Sequence, residues 1–310
     1  MGNIMKEYEP LTRRKLKEGV TSPSLRTFFS AIPFITKILK LDTVNKVFEA
    51  CEGKKDMDFV DGVLNHEDVD IHAEISDEDL AKIPQEGAFI AMITHHGGIS
   101  DVAAIEAIGR VRRDIKVLGM GFVTELTENV SGVLIKVEKM AKRNDDQRNE
   151  IRIKSIQALD EGHVLVLMGS GTGAYKTKKG RPVDKPWKEG GPRFAIEQML
   201  KGGKGFPVLP MHVEGKNDWW YYLLRSISKA ASMPLYIRQF LKRKGKKFEV
   251  KIGEMIMPEF LCQEFADRIA KIREGDKELS DSAAEKLAYK SIAQLIRKKA
   301  YEAAGIKDFC

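Results

Sequence analysis

Cysteine is scarce in this chain of 310 residues: Cys51, Cys262 and Cys310 lie far apart, are odd in number and follow no metal-ligand spacing. That excludes a disulfide framework and a cysteine metal centre, and it fits a reducing cytoplasm. Long hydrophobic runs are missing too. No stretch reaches the roughly 18 apolar residues of a spanning helix, and the start "MGNIMKEYEPLTRRK" lacks the apolar core of a secretory signal. Gly2 opens a myristoylation-like start, but Lys6 stands where that signal wants Ser or Thr. Zinc-finger spacing, a basic region followed by heptads and an aromatic RNA-binding signature are all absent, so nucleic acid is not the expected partner. No internal repeat or low-complexity linker divides the chain. Acidic residues are outnumbered, 45 against 52, for a net charge of +7. The excess points to an acidic counterpart such as an anionic lipid surface, a phosphorylated ligand or an acidic carrier protein.

What is present is a 43% hydrophobic content arranged in two periodicities. Short apolar runs, "AFIAMIT", "IKVLGM", "HVLVLMG" and "FPVLPMHV", alternate with longer segments of helical spacing such as "DDQRNEIRIKSIQALDEG" and "PRFAIEQMLKGG". This predicts an α/β fold with a mixed, mostly parallel sheet of buried strands flanked by helices. "DMDFVDGVLNHEDVDIHAEIS" reads as a short helix and a strand, Ser76 as the N-cap of another helix, and "KKFEVKIGEMIM" as a further strand. Residues 25–41 predict two short amphipathic helices around Pro33, and two helices close the chain. The expected organisation is an N-terminal helical, membrane-facing region over 1–79, an α/β domain over 80–258 and a C-terminal helical extension over 259–310.

Three segments carry candidate chemistry. "ITHHGGISD" lies where a strand should turn into a helix, and His96 and Asp101, with four residues between them, have the makings of a base and the carboxylate that orients it. The same residues would equally serve as helix caps or packing. "MGSGTGAYKTKKGRP" runs from a strand into Gly169, Gly171 and Gly173 and then Lys176, Lys178, Lys179 and Arg181, a pattern suited to an anion but matching neither a P-loop nor a dinucleotide fingerprint. A solvated basic loop is the alternative. "FPVLPMHVEGKNDWWYYLL" brings Trp219, Trp220, Tyr221 and Tyr222 together, rings that suit either a core or a membrane boundary. His163 and His212, each at a strand edge, are read as structural.

In this order the segments resemble the lysophospholipid (glycerolipid) acyltransferase superfamily. Its first motif, a histidine and an aspartate with four residues between them, is met by "HHGGISD", and its proline-containing fourth motif by "FPVLPMHVEG". The third, proline-glutamate-glycine-threonine, keeps Gly171 and Thr172 but has Gly169 and Ser170 for proline and glutamate, and the second has Gly119 and Phe122 without its arginine. "LKLDTVNKVFE", "DKPWKEGGPRFAIEQ", "VEGKND" and "LIRKKAYEAA" resemble more closely the hemolysin-like branch of ornithine-lipid and glycine-lipid N-acyltransferases, in which five residues may separate the pair and His95 would be the base. The resemblance implies an acyltransferase using no cofactor beyond an acyl thioester of acyl carrier protein or coenzyme A, and no metal. His96 would be the base, Asp101 its orienter and His95 the alternative. Gly169, Ser170, Gly171, Thr172, Lys176, Lys178 and Arg181 would bind substrate, and backbone amides near Gly171 and Thr172 or Gly97 and Gly98 would receive the oxyanion. Phe28, Phe29, Trp219 and Trp220 would face an anionic membrane, with the protein peripheral on its cytoplasmic face and a lipid as acceptor. The altered motifs leave open a lipid-binding protein without catalysis, or a thioester or lipid hydrolase.

Overall fold

The computed structural model describes residues 40–96, 100–120, 127–137, 145–173, 177–178, 181–227 and 235–307. The helices expected over 25–41, with Phe28 and Phe29, lie outside them.

Two short helices lead in, α1 (Leu41–Glu49) and α2 (Asp56–Leu64), burying Leu41, Val44 and Val47 from the first and Met57, Phe59 and Leu64 from the second. Strand β1 (Ile71–Glu74) follows, then α3 (Asp77–Ala81), whose expected cap is in place: Ser76 Oγ accepts the Asp79 N–H. Next come β2 (Phe89–Ile93), α4 (Ser100–Gly109), β3 (Ile115–Met120), β4 (Leu134–Val137), α5 (Asp145–Asp160) and β5 (Val164–Met168). A two-residue ribbon, β6 (Thr177–Lys178) with β7 (Arg181–Pro182), precedes α6 (Gly190–Ile196) and β8 (Val208–Val213). The chain closes with α7 (Trp219–Ile227), α8 (Leu235–Leu241), β9 (Lys246–Ile252), α9 (Pro258–Gly275) and α10 (Asp281–Ala303).

Seven strands form one sheet in the order β1-β9-β8-β2-β5-β3-β4. The run from β8 to β4 is parallel; β9 is antiparallel to β8, and β1 is parallel to β9. β1, expected in a separate N-terminal region, is therefore an edge strand of the main sheet. The cores of α1 and α2 are likewise continuous with that sheet, and α9 and α10 cover its other face. The proposed boundaries at 79 and 258 mark changes of sequence character across shared cores.

A parallel strand covered on both faces is apolar at every position. β2 is buried throughout, and its residues divide by parity: Phe89, Ala91 and Ile93 pack with α4, whereas Ile90 and Met92 pack with α6, α9 and α10. The amino ends of three strands are joined by one buried guanidinium. Arg112 donates to both oxygens of Asp114 at 2.8 and 2.6 Å, to the Gly87 carbonyl at 2.8 Å and to that of Gly162 at 2.9 Å. Arg112→Met should thus lower unfolding stability by roughly 2–4 kcal/mol, since each buried acceptor left unpaired costs about 1–3 kcal/mol. Urea denaturation measures this, and any activity per folded molecule should be unchanged because Arg112 lies at the sheet end opposite the site described next.

Candidate active site

Beyond Ile93 the chain leaves the sheet at the carboxyl ends of β2, β5 and β8, where open α/β sheets place their ligands. Thr94 still bridges to the neighbouring strand, its Oγ1 accepting the Val213 N–H at 2.9 Å. The parity of β2 then carries into the two histidines. His95 continues the odd face, toward α4, and its Nδ1 hydrogen-bonds Asp101 Oδ2 in the first turn of that helix. His96 turns to the even face, where its Nε2 lies 2.8 Å from the Tyr301 hydroxyl and its ring packs edge-on against His212 at 5.0 Å between centroids.

This corrects the expected pairing: Asp101 meets His95, with five residues between them, and not His96. His96 is poorly suited to proton transfer for a second reason. It is 3% exposed, and loss of solvation, with His212 and His95 nearby, lowers its pKa to about 3, keeping the ring neutral. Asp101 is 2% exposed and sits in the first turn of α4. Its Oδ1, like the adjacent Ser100 Oγ, has no hydrogen-bond partner among the described residues. Ser100 is buried against Gly215 of the "VEGKND" segment, where an added Cβ would stand 2.4 Å from Ser100 Oγ.

The glycine-rich loop after β5 closes the site from the other side. Gly169 N–H donates to the Ile93 carbonyl at 3.0 Å, and Gly171 N–H, at a residue with φ of 60°, donates to Met168 O at 2.8 Å. Neither amide is open to an oxyanion, contrary to the expectation for Gly171. Ser170 is buried and its hydroxyl donates to Thr172 O at 2.8 Å. Gly97 and Gly98 lie outside the described residues, as do Lys176 and Lys179. Lys178 and Arg181 are register partners in the backbone of the β6–β7 ribbon.

Several residues at this site were not singled out in the sequence: Asp184, Trp187, Gln294, Arg297 and Tyr301. Asp184 is buried at 3% exposure and accepts the His95 N–H. Desolvation pushes its pKa up to about 6, against the lowering effect of His95 and the Trp187 indole. Burial also raises the pKa of Tyr301. "DKPW" did carry a signal, an aspartate and a tryptophan three residues apart on either side of Pro186, though nothing local showed which elements they join. His163, at the amino end of β5, lies between Asp114 at 3.7 Å and Glu161 at 3.4 Å. Of the aromatic cluster, Tyr221 and Tyr222 are buried, Trp220 donates to Asp218, and Trp219 is 75% exposed. Among the described residues no group of three or more His, Cys, Asp and Glu is placed to hold a metal, and no helix is long and apolar enough to cross a membrane.

No family model matches the chain. It is similar to two proteins named lyso-glycine lipid O-acyltransferase. The one from Phocaeicola vulgatus is 22% identical over 234 residues, 73% of this chain and 78% of that protein. The one from Bacteroides thetaiotaomicron is 23% identical over 235 residues, 73% of this chain and 80% of that protein. The crystal structure of the 1-acyl-sn-glycerophosphate (LPA) acyltransferase PlsC from Thermotoga maritima aligns with a TM-score of 0.40 and 14% identity, covering 86% of this chain and 95% of that one.

The loop and its cover are mutually dependent: a Cβ on Gly169 would lie 2.1 Å from Trp187 Cδ2, a rigid ring atom. In a Trp219→Phe, Trp220→Phe background, where Trp187 is the remaining indole of the 3, Gly169→Ala should red-shift the fluorescence and lower the melting temperature. An unshifted emission maximum would show that the ring does not rest on this glycine.

Proposed function

We propose that this chain, an acyltransferase of the glycerolipid acyltransferase superfamily, moves a fatty acyl group from an acyl thioester to a hydroxyl of a lyso-lipid with an amino-acid headgroup. The observation that carries the reading is the His95–Asp101 contact at the carboxyl ends of the central parallel strands. The names of the two curated relatives support the acceptor class and the O-acyl linkage.

In this mechanism His95 takes the acceptor's hydroxyl proton on Nε2 while Asp101, on Nδ1, fixes the tautomer and stabilises the imidazolium. The acceptor oxygen attacks the thioester carbonyl, the tetrahedral intermediate collapses, and the thiolate of the carrier leaves with the proton from His95. The carrier is acyl carrier protein or coenzyme A, and neither step requires a metal or further cofactor. His96 does no proton transfer; it supports the turn from behind.

Radiolabelled acyl thioester offered with lyso-amino-acid lipids and lysophospholipids tests the reaction. Labelled diacyl product supports it; free acid alone would make the protein a hydrolase, and binding without turnover a lipid-binding protein. Replacing His95 by Gln should cut turnover by at least about a hundredfold, the usual scale for a lost general base, and Asp101→Asn nearly as much. His96→Gln should retain activity within about tenfold. The reverse ranking of the two histidine variants would return the base to His96.

A lipid acceptor requires access to a bilayer, because each buried CH₂ is worth about 0.8 kcal/mol. In α7, Trp219 and Leu223, four residues apart on one face, are 75% and 51% exposed, while Tyr221 and Tyr222 hold the helix to the body. Exposed Lys242, Lys244, Lys246 and Lys247 follow α8, with Lys242 2.7 Å from Asp218 at the start of α7. Basic residues near an anionic surface contribute roughly 1 kcal/mol each. The double variant Trp219→Asp, Leu223→Asp should fold normally, since neither side chain is core, and should co-sediment less with anionic vesicles. Full pelleting of the folded variant, or a wild type that never pellets, would remove α7 as a membrane contact.

A further inference from the structure

We infer that Asp184 is a second positioning carboxylate for His95, gripping its peptide N–H and placing a negative charge behind the imidazole; this rests on the reading of His95 as the base. Residues 183–188, without regular secondary structure, form a strap between β7 and α6 that meets the ends of β2 and β5 through the His95 N–H and the Gly169 carbonyl. Both Asp184 oxygens accept the His95 N–H, at 3.0 and 2.9 Å, and Oδ2 also accepts the Trp187 indole N–H at 3.0 Å. The strap is in turn fixed by the C-terminal helix. Asp184 N–H donates to the Tyr301 oxygen at 3.1 Å, Arg297 Nη2 donates to the Asp184 carbonyl at 2.8 Å, and Gln294 pairs with both the N–H and the carbonyl of Trp187 at 3.2 and 2.8 Å. Trp187 lies flat on Gly169, so one strap touches both the histidine turn and the glycine loop.

A structural acceptor for a peptide N–H does not have to be a carboxylate. An asparagine would fit the same space without the cost of burying a charge. What the carboxylate adds is attraction to the proton on His95, and the two groups interact favourably across this contact. The other charged or titratable groups around the pair are Asp101 from α4, His96 in the same turn, His212 from β8, and Arg297 and Tyr301 from α10; Lys185 and Lys188 flank it along the strap. Asp101 holds the ring by Nδ1, whereas Asp184 acts through the backbone and touches no substrate.

Asp184→Asn keeps the size and one acceptor oxygen. Removing the charge makes the imidazolium less stable, so His95 loses its proton at lower pH. In ¹⁵N-histidine NMR of the full chain, the His95 titration should move down by about one pH unit, the lower end of what a nearby opposite charge does. The acidic limb of kcat/KM should follow it, with kcat lower by about tenfold and KM unchanged. Trp187→Phe, which removes one donor to the carboxylate, should move the same quantities by less and serves if the first variant folds poorly. An unmoved His95 titration in a folded variant overturns the proposal and leaves Asp184 as an acceptor only. A wild type without acyl transfer but with the shifted titration would defeat the acyltransferase mechanism while upholding the grip on His95.

Discussion

A strand buried on both faces sends neighbouring side chains in opposite directions, and the site depends on that constraint in β2. The strand is covered by α4 on one side and by α6, α9 and α10 on the other, so its alternation continues into the two residues that leave it. His95 reaches the carboxylate of α4, and His96 is driven into the opposite layer against Tyr301 and His212. Two adjacent imidazoles are thereby made chemically different. One is partly exposed beside a carboxylate, and the other is buried, neutral and packed among rings. The division needs no special residue; it follows from the two-residue period and from which helix starts with the aspartate.

The same parity was available in the sequence. Once "AFIAMI" is a strand and the segment with Asp101 in its first turn is the helix packed on its odd face, His95 is the nearer partner. Counting residues between histidine and aspartate hid this, because a motif spacing says nothing about faces. The larger elements were legible for plain reasons. "IKVLGM" and "HVLVLMG" are apolar runs of strand length, and the segments assigned to α5, α9 and α10 have helical spacing over four or more turns. β4, only four residues long and with one fully buried position, carried no such signal. The edge position of β1 was equally invisible, since its partner β9 lies 175 residues further on.

Asp184 and Tyr301 were missed for a related reason. Their meaning is in the contact, and the contact spans 117 residues. In isolation Tyr301 is one apolar position of an amphipathic helix, and Asp184 one charge in a basic stretch. The fold brings them together under β2, where a buried carboxylate is tolerable only because several donors converge on it and its neighbours. The C-terminal helix is thus part of the site's framework. Gln294, Arg297 and Tyr301 recur at intervals of three and four residues, one face of α10 turned to the strap.

That arrangement also accounts for the loop that departs from the superfamily's third motif. The resemblance expects proline and glutamate where this chain has Gly169 and Ser170. With the Trp187 ring resting on residue 169, any side chain there would overlap it, so glycine at 169 and tryptophan at 187 belong together. Ser170 turns inward and spends its hydroxyl on the Thr172 carbonyl, a role that suits a short neutral side chain and not a long acid. The carboxylate buried near this loop, Asp184, lies 14 residues after Ser170 on the strap that carries the tryptophan, and it accepts the indole N–H. What reads in the sequence as an eroded motif is, in the fold, a loop shaped by its packing against Trp187.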